Sequence, residues 1–288
     1  MRFNLVIILI ICSILLTSCS KQTSIKLPYF SDEPITTPIT FEEGVISTDD
    51  TEWAFTFTPD GSKIYIQRGT AGLATLYKSE YVDGKWTEPV LFTFPTQENI
   101  HFIRLVEPFI SPDGSKFFFV SEGDGMEGTD LWVSENIDGT WGEPTILEIL
   151  NSPRNEYFPS VSNNGNLYFQ SNRQGTSGSY DLFVSKFIDG EYTQPVQLGE
   201  EINTSGVEQS PFITPDESYL IFSRDGAFYI SYNTEGKWSE AELLTGEPLN
   251  GLFGSRYSPY VSPDQKYFFY ADGDIHQVDV SVIGLNNK

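Results

Sequence analysis

Ile110-Ser111-Pro112-Asp113-Gly114, followed by Phe117-Phe118-Phe119-Val120, spells out a tight turn leading into a continuous apolar run. Asp-Gly tolerates the positive φ that a hairpin turn requires, so the segments on either side read as paired strands. The unit recurs along the chain as Phe57-Thr58-Pro59-Asp60-Gly61, Val161-Ser162-Asn163-Asn164-Gly165, Ile213-Thr214-Pro215-Asp216-Glu217 and Val261-Ser262-Pro263-Asp264-Gln265. The steps between copies are 53, 51, 52 and 48 residues. After each turn comes an apolar run: Ile64-Tyr65-Ile66, Leu167-Tyr168-Phe169, Tyr219-Leu220-Ile221-Phe222 or Tyr267-Phe268-Phe269-Tyr270. A strand wetted on one face would alternate, so these strands are expected to be covered on both faces.

A third segment follows in each copy, clearest as Asp130-Leu131-Trp132-Val133-Ser134 and Asp181-Leu182-Phe183-Val184-Ser185. It ends at a second turn, Asp83-Gly84, Asp138-Gly139, Asp189-Gly190 or Glu235-Gly236. Beyond lie Lys85-Trp86-Thr87-Glu88-Pro89, Thr140-Trp141-Gly142-Glu143-Pro144, Glu191-Tyr192-Thr193-Gln194-Pro195 and Lys237-Trp238-Ser239-Glu240-Ala241. Proline lacks the N–H that an inner ladder needs, which places this fourth strand at the outer edge. Four antiparallel strands repeated about every 50 residues predict an all-β chain folded as one β-propeller, with each sheet covering its neighbours.

The Ser/Thr-Pro-Asp-Gly turn followed by an aromatic strand resembles the TolB-like, WD-repeat-like propellers of bacterial exported proteins. That resemblance implies a six-bladed ring as the alternative to the five counted here. The fifth copy lacks an outer strand, while Thr37-Pro38-Ile39-Thr40-Phe41 resembles Glu88-Pro89-Val90-Leu91-Phe92. The N-terminal segment is therefore expected to complete the last blade and close the ring, over residues 36–284.

Arg2, the apolar run Leu5 to Leu16 and then Thr17-Ser18-Cys19 have the layout of a secretory signal peptide. Leu16-Thr17-Ser18-Cys19 resembles the lipobox of bacterial lipoproteins. Residues 1–18 are then a cleaved signal, Cys19 the lipidation site and residues 19–35 a tether. Ser20 resembles the residue found in outer-membrane lipoproteins. With 40 acidic against 17 basic residues and a formal charge of −23, the chain is expected to repel nucleic acid and to touch membrane only through a lipid anchor. A monomer is expected.

Seven positions before the turn Pro or Asn stand Glu52, Leu105, Glu156, Glu208 and Arg256, with Glu107 close by. At the ends of the second strands stand Arg68, Arg173, Arg224 and Asp272. The three carboxylates and the arginines are expected to gather as a polar ring at one mouth of the channel and to be the ligand-binding candidates. The competing reading is that Glu and Arg pair with each other across the repeat. Asp130 and Asp181 read as turn-stabilising, and Trp86, Trp141 and Trp238, at one repeat position, as packing between blades.

His101 and His276 are the only histidines, too few for a multi-histidine metal site. No Gly-x-Ser-x-Gly nucleophile elbow, phosphate-cradling Gly-x-x-x-x-Gly-Lys or EF-type calcium loop occurs, so no cofactor is expected. The expected function is a non-catalytic binding or scaffold module of the cell envelope that recognises a protein, peptide or glycan. A glycan-active hydrolase or lyase using Glu52, Glu156 and Glu208 is the alternative.

Overall fold

The computed structural model describes residues 27–70, 73–95, 102, 104–122, 128–244 and 257–285. It is an all-β ring of five antiparallel four-stranded blades. The innermost strands are Glu52–Phe57, Val106–Ile110, Glu156–Val161, Glu208–Ile213 and Tyr257–Val261. Second strands such as Lys116–Ser121 and Leu167–Ser171 are buried along nearly their whole length, as the unbroken apolar runs require. Signal peptide, Cys19, His101 and Arg256 lie outside the described residues.

The ring closes at the predicted place. Ile39–Thr40 pairs antiparallel with Ile275–Asp279, Ile39 facing Gln277 and Thr40 facing His276. Residues upstream are also packed: Tyr29 and Ile35 are buried, Gln277 donates to the Tyr29 carbonyl, and the Asp279 N–H donates to Ile35. Packed chain thus begins at least as early as Leu27, ahead of the tether boundary at residue 35 expected from sequence. Tyr29 lies over the Pro59–Gly61 turn, where a Cβ on Gly61 would stand 3.0 Å from its ring.

The hairpin turns are held by their aspartates. Asp113 Oδ1 accepts from the Ser115 N–H (3.0 Å) and the Ser111 hydroxyl (2.6 Å), and Asp60 repeats both contacts. Blade 3 has Asn163-Asn164 instead, and Glu217 from blade 4 stands in: its Oε1 accepts from Ser162 Oγ and Asn166 Nδ2, each at 2.7 Å.

The outer strands differ from the expectation of one edge strand per blade. In blade 1 the third strand, Thr75–Val82, runs through the Asp83-Gly84 turn into a two-residue return, Lys85–Trp86; Pro89 then breaks the ladder before Val90–Leu91 rejoins it. A buried third-strand serine fills the gap by donating to the carbonyl across it, Ser79 to Thr87 at 2.6 Å and Ser231 to Ser239 at 2.6 Å.

The returning tryptophans pack between blades. Trp86 lies 6.1 Å from Phe41 and 6.2 Å from Phe57, Trp141 meets Phe117 edge-on at 5.2 Å and donates to the Tyr65 hydroxyl, and Trp238 meets Tyr168 edge-on. Such ring pairs contribute about 0.5–1.5 kcal/mol each beyond their buried area.

Candidate functional site

Glu52, Glu156 and Glu208 do not form an open ring at the channel mouth. Each is fully buried and held by the same set of groups. Glu208 accepts from Arg224 Nε (2.8 Å), from the Thr204 hydroxyl (2.6 Å) and from the Thr204 N–H (3.2 Å). Glu52 repeats this with Arg68 and Thr48, and Glu156 with Arg173 and Ser152, adding Ser171 Oγ. Each guanidinium also donates to a linker carbonyl, Ile46 (2.8 Å), Leu150 (2.6 Å) or Ile202 (2.6 Å). Aromatic faces cover the arginines, with the Arg224 head 4.4 Å from the Tyr229 ring centre and the Arg173 head 4.8 Å from Phe183. Burial pushes the Glu52 carboxyl up; the Thr48 N–H and the Arg68 charge oppose it.

These pairs belong to a longer clasp that sequence reasoning missed: Ile46-Ser47-Thr48-x-x-x-Glu52, Leu150-Asn151-Ser152-x-x-x-Glu156 and Ile202-Asn203-Thr204-x-x-x-Glu208. The residue in second place holds the third strand of the preceding blade. Asn151 exchanges hydrogen bonds with Leu131, Asn203 with Leu182, and Ser47 with Ile275 across the closure. Recurrence at the blade spacing was the available signal. Asp181, read as turn-stabilising, accepts from the Ser177 and Gly178 N–H groups. Asp130 is buried near Glu156, and burial followed by that charge pushes its pKa up to about 6.

Blade 2 breaks the pattern. Leu105 occupies the glutamate position and is buried, and Ser121 replaces the arginine, donating to the Arg104 carbonyl. The carboxylate sits two residues later, at Glu107, and this candidate does lie at the channel. In blade 5, Asp272 pairs with His276 Nε2.

Every innermost strand carries a register shift near its start. In four blades the shift coincides with a residue at positive φ followed by proline: Glu107 (54°), Phe158 (51°), Ser210 (50°) and Ser258 (52°). A bulge re-aims side chains, and here these residues and Ala54 converge on a narrow throat along the axis. Phe109, Phe212 and Tyr260 close the throat beneath them, Phe212 and Tyr260 being 5.3 Å apart.

Above the throat opens a funnel of about 230 Å³. Its walls are Trp53, Tyr157, Phe158, Tyr180 and Tyr257, all partly exposed. The Phe158 and Tyr257 rings are parallel within 6° at 6.3 Å, and Trp53 is 6.2 Å from Tyr257. Trp53, Tyr157 and Tyr257 each stand six positions before their turn, the first two one residue on from Glu52 and Glu156. Because successive strand residues face opposite ways, that single step separates a buried clasp from the funnel wall.

Gln67, Glu107 and Gln170 form the floor. Gln67 Oε1 accepts from the Glu107 N–H and Gln170 Oε1 from the Ser210 N–H, both at 2.9 Å. Each thereby satisfies a bulge N–H of the next blade. Between blades 2 and 3 the carboxylate takes this role: the Phe158 N–H donates to Glu107 Oε2 at 2.7 Å. Its other oxygen has no partner among the described residues. Burial pushes the Glu107 carboxyl up to about 8, opposed by the Phe158 N–H and the Arg104 charge. Arg104 itself is ion-paired to Glu122 at 2.9 Å.

Among the described residues no group of three or more potential ligands is placed to hold a metal ion, and no helix is long and apolar enough to cross a membrane.

No protein-family model matches the chain, and no curated protein does. Solved structures do resemble it. A TolB protein of Agrobacterium tumefaciens superposes with a TM-score of 0.51 at 19% identity, over 78% of this chain and 72% of that one. A gluconolactonase of Xanthomonas campestris superposes with a TM-score of 0.51 at 10% identity, over 80% and 86%. At such identities the likeness concerns architecture, since one fold hosts many unrelated activities. By its own geometry the chain is a five-bladed β-propeller, similar in architecture to these neighbours, with a polar, aromatic-walled funnel at one end of its axis.

Proposed function

We propose that this chain is a non-catalytic binding module of the bacterial cell envelope that recognises its ligand, a protein, peptide or glycan, at the axial funnel. One contrast carries the reading. The carboxylates that acid-base chemistry would need, Glu52, Glu156 and Glu208, are consumed by the blade clasps, whereas the funnel offers aromatic faces and uncommitted polar atoms. A hydrolase or lyase acting through those glutamates therefore lacks its groups. Ligand contact through Arg68, Arg173 or Arg224 is disfavoured in the same way, and Glu107 is the candidate that keeps a free oxygen.

The N-terminal layout adds the location: residues 1–18 as signal peptide, Cys19 as lipid attachment in the outer membrane, and residues 36–284 as propeller. Leu27, Pro28 and Tyr29 lie against the Pro59–Gly61 turn, at the opposite end of the ring from the funnel. Leu27 lies eight residue steps beyond Cys19, and eight extended steps span at most roughly 26–29 Å. A lipid there holds the turn end near the membrane and leaves the funnel facing away from it.

The test is capture from an envelope extract of the source bacterium on immobilised wild type and Tyr257→Ala. Retention of a ligand by wild type and its loss with Tyr257→Ala is expected; equal retention contradicts the reading. Metabolic labelling with palmitate tests the anchor, since Cys19→Ala is expected to remove the label and equal labelling refutes lipidation.

A further inference from the structure

We propose that the funnel is a subsite for one neutral sugar ring, stacked between the aromatic walls with its hydroxyls on Gln67, Gln170 and Glu107. The proposal rests on the funnel being the binding site and narrows what that site accepts.

The inference follows from which atoms of the floor are already committed. Gln67 and Gln170 have each committed Oε1 to a bulge N–H, so the head group's remaining donor is Nε2. Glu107 has committed Oε2 and keeps one carboxyl oxygen, on a residue only 8% exposed. Just below, Ser210 Oγ is buried with no partner. The floor thus presents amide donors beside a carboxyl and, deeper, a hydroxyl.

Four ligand classes can be compared against that inventory. An apolar group would cover these polar atoms without pairing them, and each would lose its water for nothing. An anion would enter against a formal charge of −23. An organic cation suits the aromatic walls but would meet two amide N–H donors, and a carboxyl whose pKa is pushed up to about 8 carries little negative charge at neutral pH. A sugar hydroxyl both donates and accepts, so it can accept from an amide N–H and pair with the Glu107 carboxyl whether that group is protonated, as donor, or ionised, as acceptor, while the C–H face of the ring lies on the aromatic walls. At about 230 Å³ the funnel is smaller than the roughly 300–1,000 Å³ of sites for larger ligands, which suits a single ring.

Saturation-transfer NMR on the full folded chain can test this with methyl α- and β-glucopyranoside and methyl N-acetyl-β-glucosaminide, beside tetramethylammonium and glucuronate. Transfer to at least one neutral pyranoside is expected. Its affinity should fall about tenfold or more in Tyr257→Ala and Glu107→Leu and stay within about threefold in Glu107→Gln, which keeps a neutral hydrogen-bonding head. Thermal melts confirm that each variant is folded. No transfer to any neutral pyranoside at about 10 mM, preference for tetramethylammonium or glucuronate, or indifference to Tyr257→Ala would overturn the proposal. Capture from the envelope extract separates the two levels. A ligand lost with Tyr257→Ala while all sugars fail leaves the funnel reading standing and removes the sugar; no effect of Tyr257→Ala in either assay removes both.

Discussion

Replacing Glu208 by Ala isolates what a clasp contributes. The substitution deletes acceptors for Arg224 Nε (2.8 Å), the Thr204 hydroxyl (2.6 Å) and the Thr204 N–H (3.2 Å). It leaves the Arg224 guanidinium, 15% exposed, with only the Ile202 carbonyl and the faces of Phe222 and Tyr229. Removing one partner of a buried ion pair typically costs about 3–5 kcal/mol, most of it from the charge left behind. At roughly 2–4 °C per kcal/mol for a domain of this size, the melting temperature should fall by roughly 6–20 °C. The informative comparison is the double variant Glu208→Leu/Arg224→Met, which removes both charges and keeps apolar volume. Replacing both members of such a pair is often near neutral, so the double variant should be more stable than Glu208→Ala alone. Urea unfolding at neutral pH, fitted with a common m-value, gives both numbers. A cost below about 1 kcal/mol for Glu208→Ala, or a double variant no better than the single, would refute the clasp as a load shared by charge and hydrogen bonds.

Three further outcomes are expected. A carboxyl whose folded pKa stands above its unfolded value stabilises fully below the unfolded value and loses that contribution as pH rises through the folded one. Glu107 (about 8) and Asp130 (about 6) are of this kind, while Asp60, Asp113 and Asp216, lowered by their turn hydrogen bonds despite partial burial, lose theirs as pH falls below the ordinary carboxylate range. Thermal melts should therefore peak at roughly pH 4–5, and Glu107→Gln should flatten the decline between roughly pH 5 and 8; an unchanged decline would contradict the placement of that carboxyl. A chain beginning at Leu27 should melt like the mature protein, whereas one beginning at Val45 loses Tyr29, Ile35, the Ile39–Thr40 strand and Phe41, and should lose its cooperative transition; retention of a sharp transition would argue against closure by this segment. Trp86→Ala should cost about 3–5 kcal/mol, as buried aromatic truncations do, and a cost under 1 kcal/mol by urea unfolding would show that the seam does not depend on it.

The blade count and the closure were legible because both are written in local chemistry. A Pro-Asp-Gly turn and an unbroken apolar strand have few structural alternatives, and the spacing from Pro38 to Pro59 matched that of complete blades. The site was legible only in part. Glu52, Glu156 and Glu208 recur with the repeat, and recurrence selects what every blade needs to fold. The funnel is built from the neighbouring positions, where Trp53, Tyr157, Gln209 and Tyr257 differ from blade to blade. A bulge in each inner strand decides which of two adjacent residues faces the axis, and in four blades its backbone, at positive φ before proline, runs against local preference. Glu107 was found as an irregularity, but its task, replacing the amide that Val120 cannot supply to the Phe158 N–H, depends on the contact between two blades.

Funnel and clasp can be separated by measuring ligand affinity and melting temperature on the same preparations of wild type, Tyr257→Ala and Glu208→Ala, using the ligand retained from the envelope extract. Tyr257→Ala is expected to lose binding while melting near the wild-type temperature, and Glu208→Ala to melt well below it while still binding at temperatures where it is folded. Binding lost with Glu208→Ala in the folded state and kept with Tyr257→Ala would place the functional site at the clasps and contradict the assignment to the funnel.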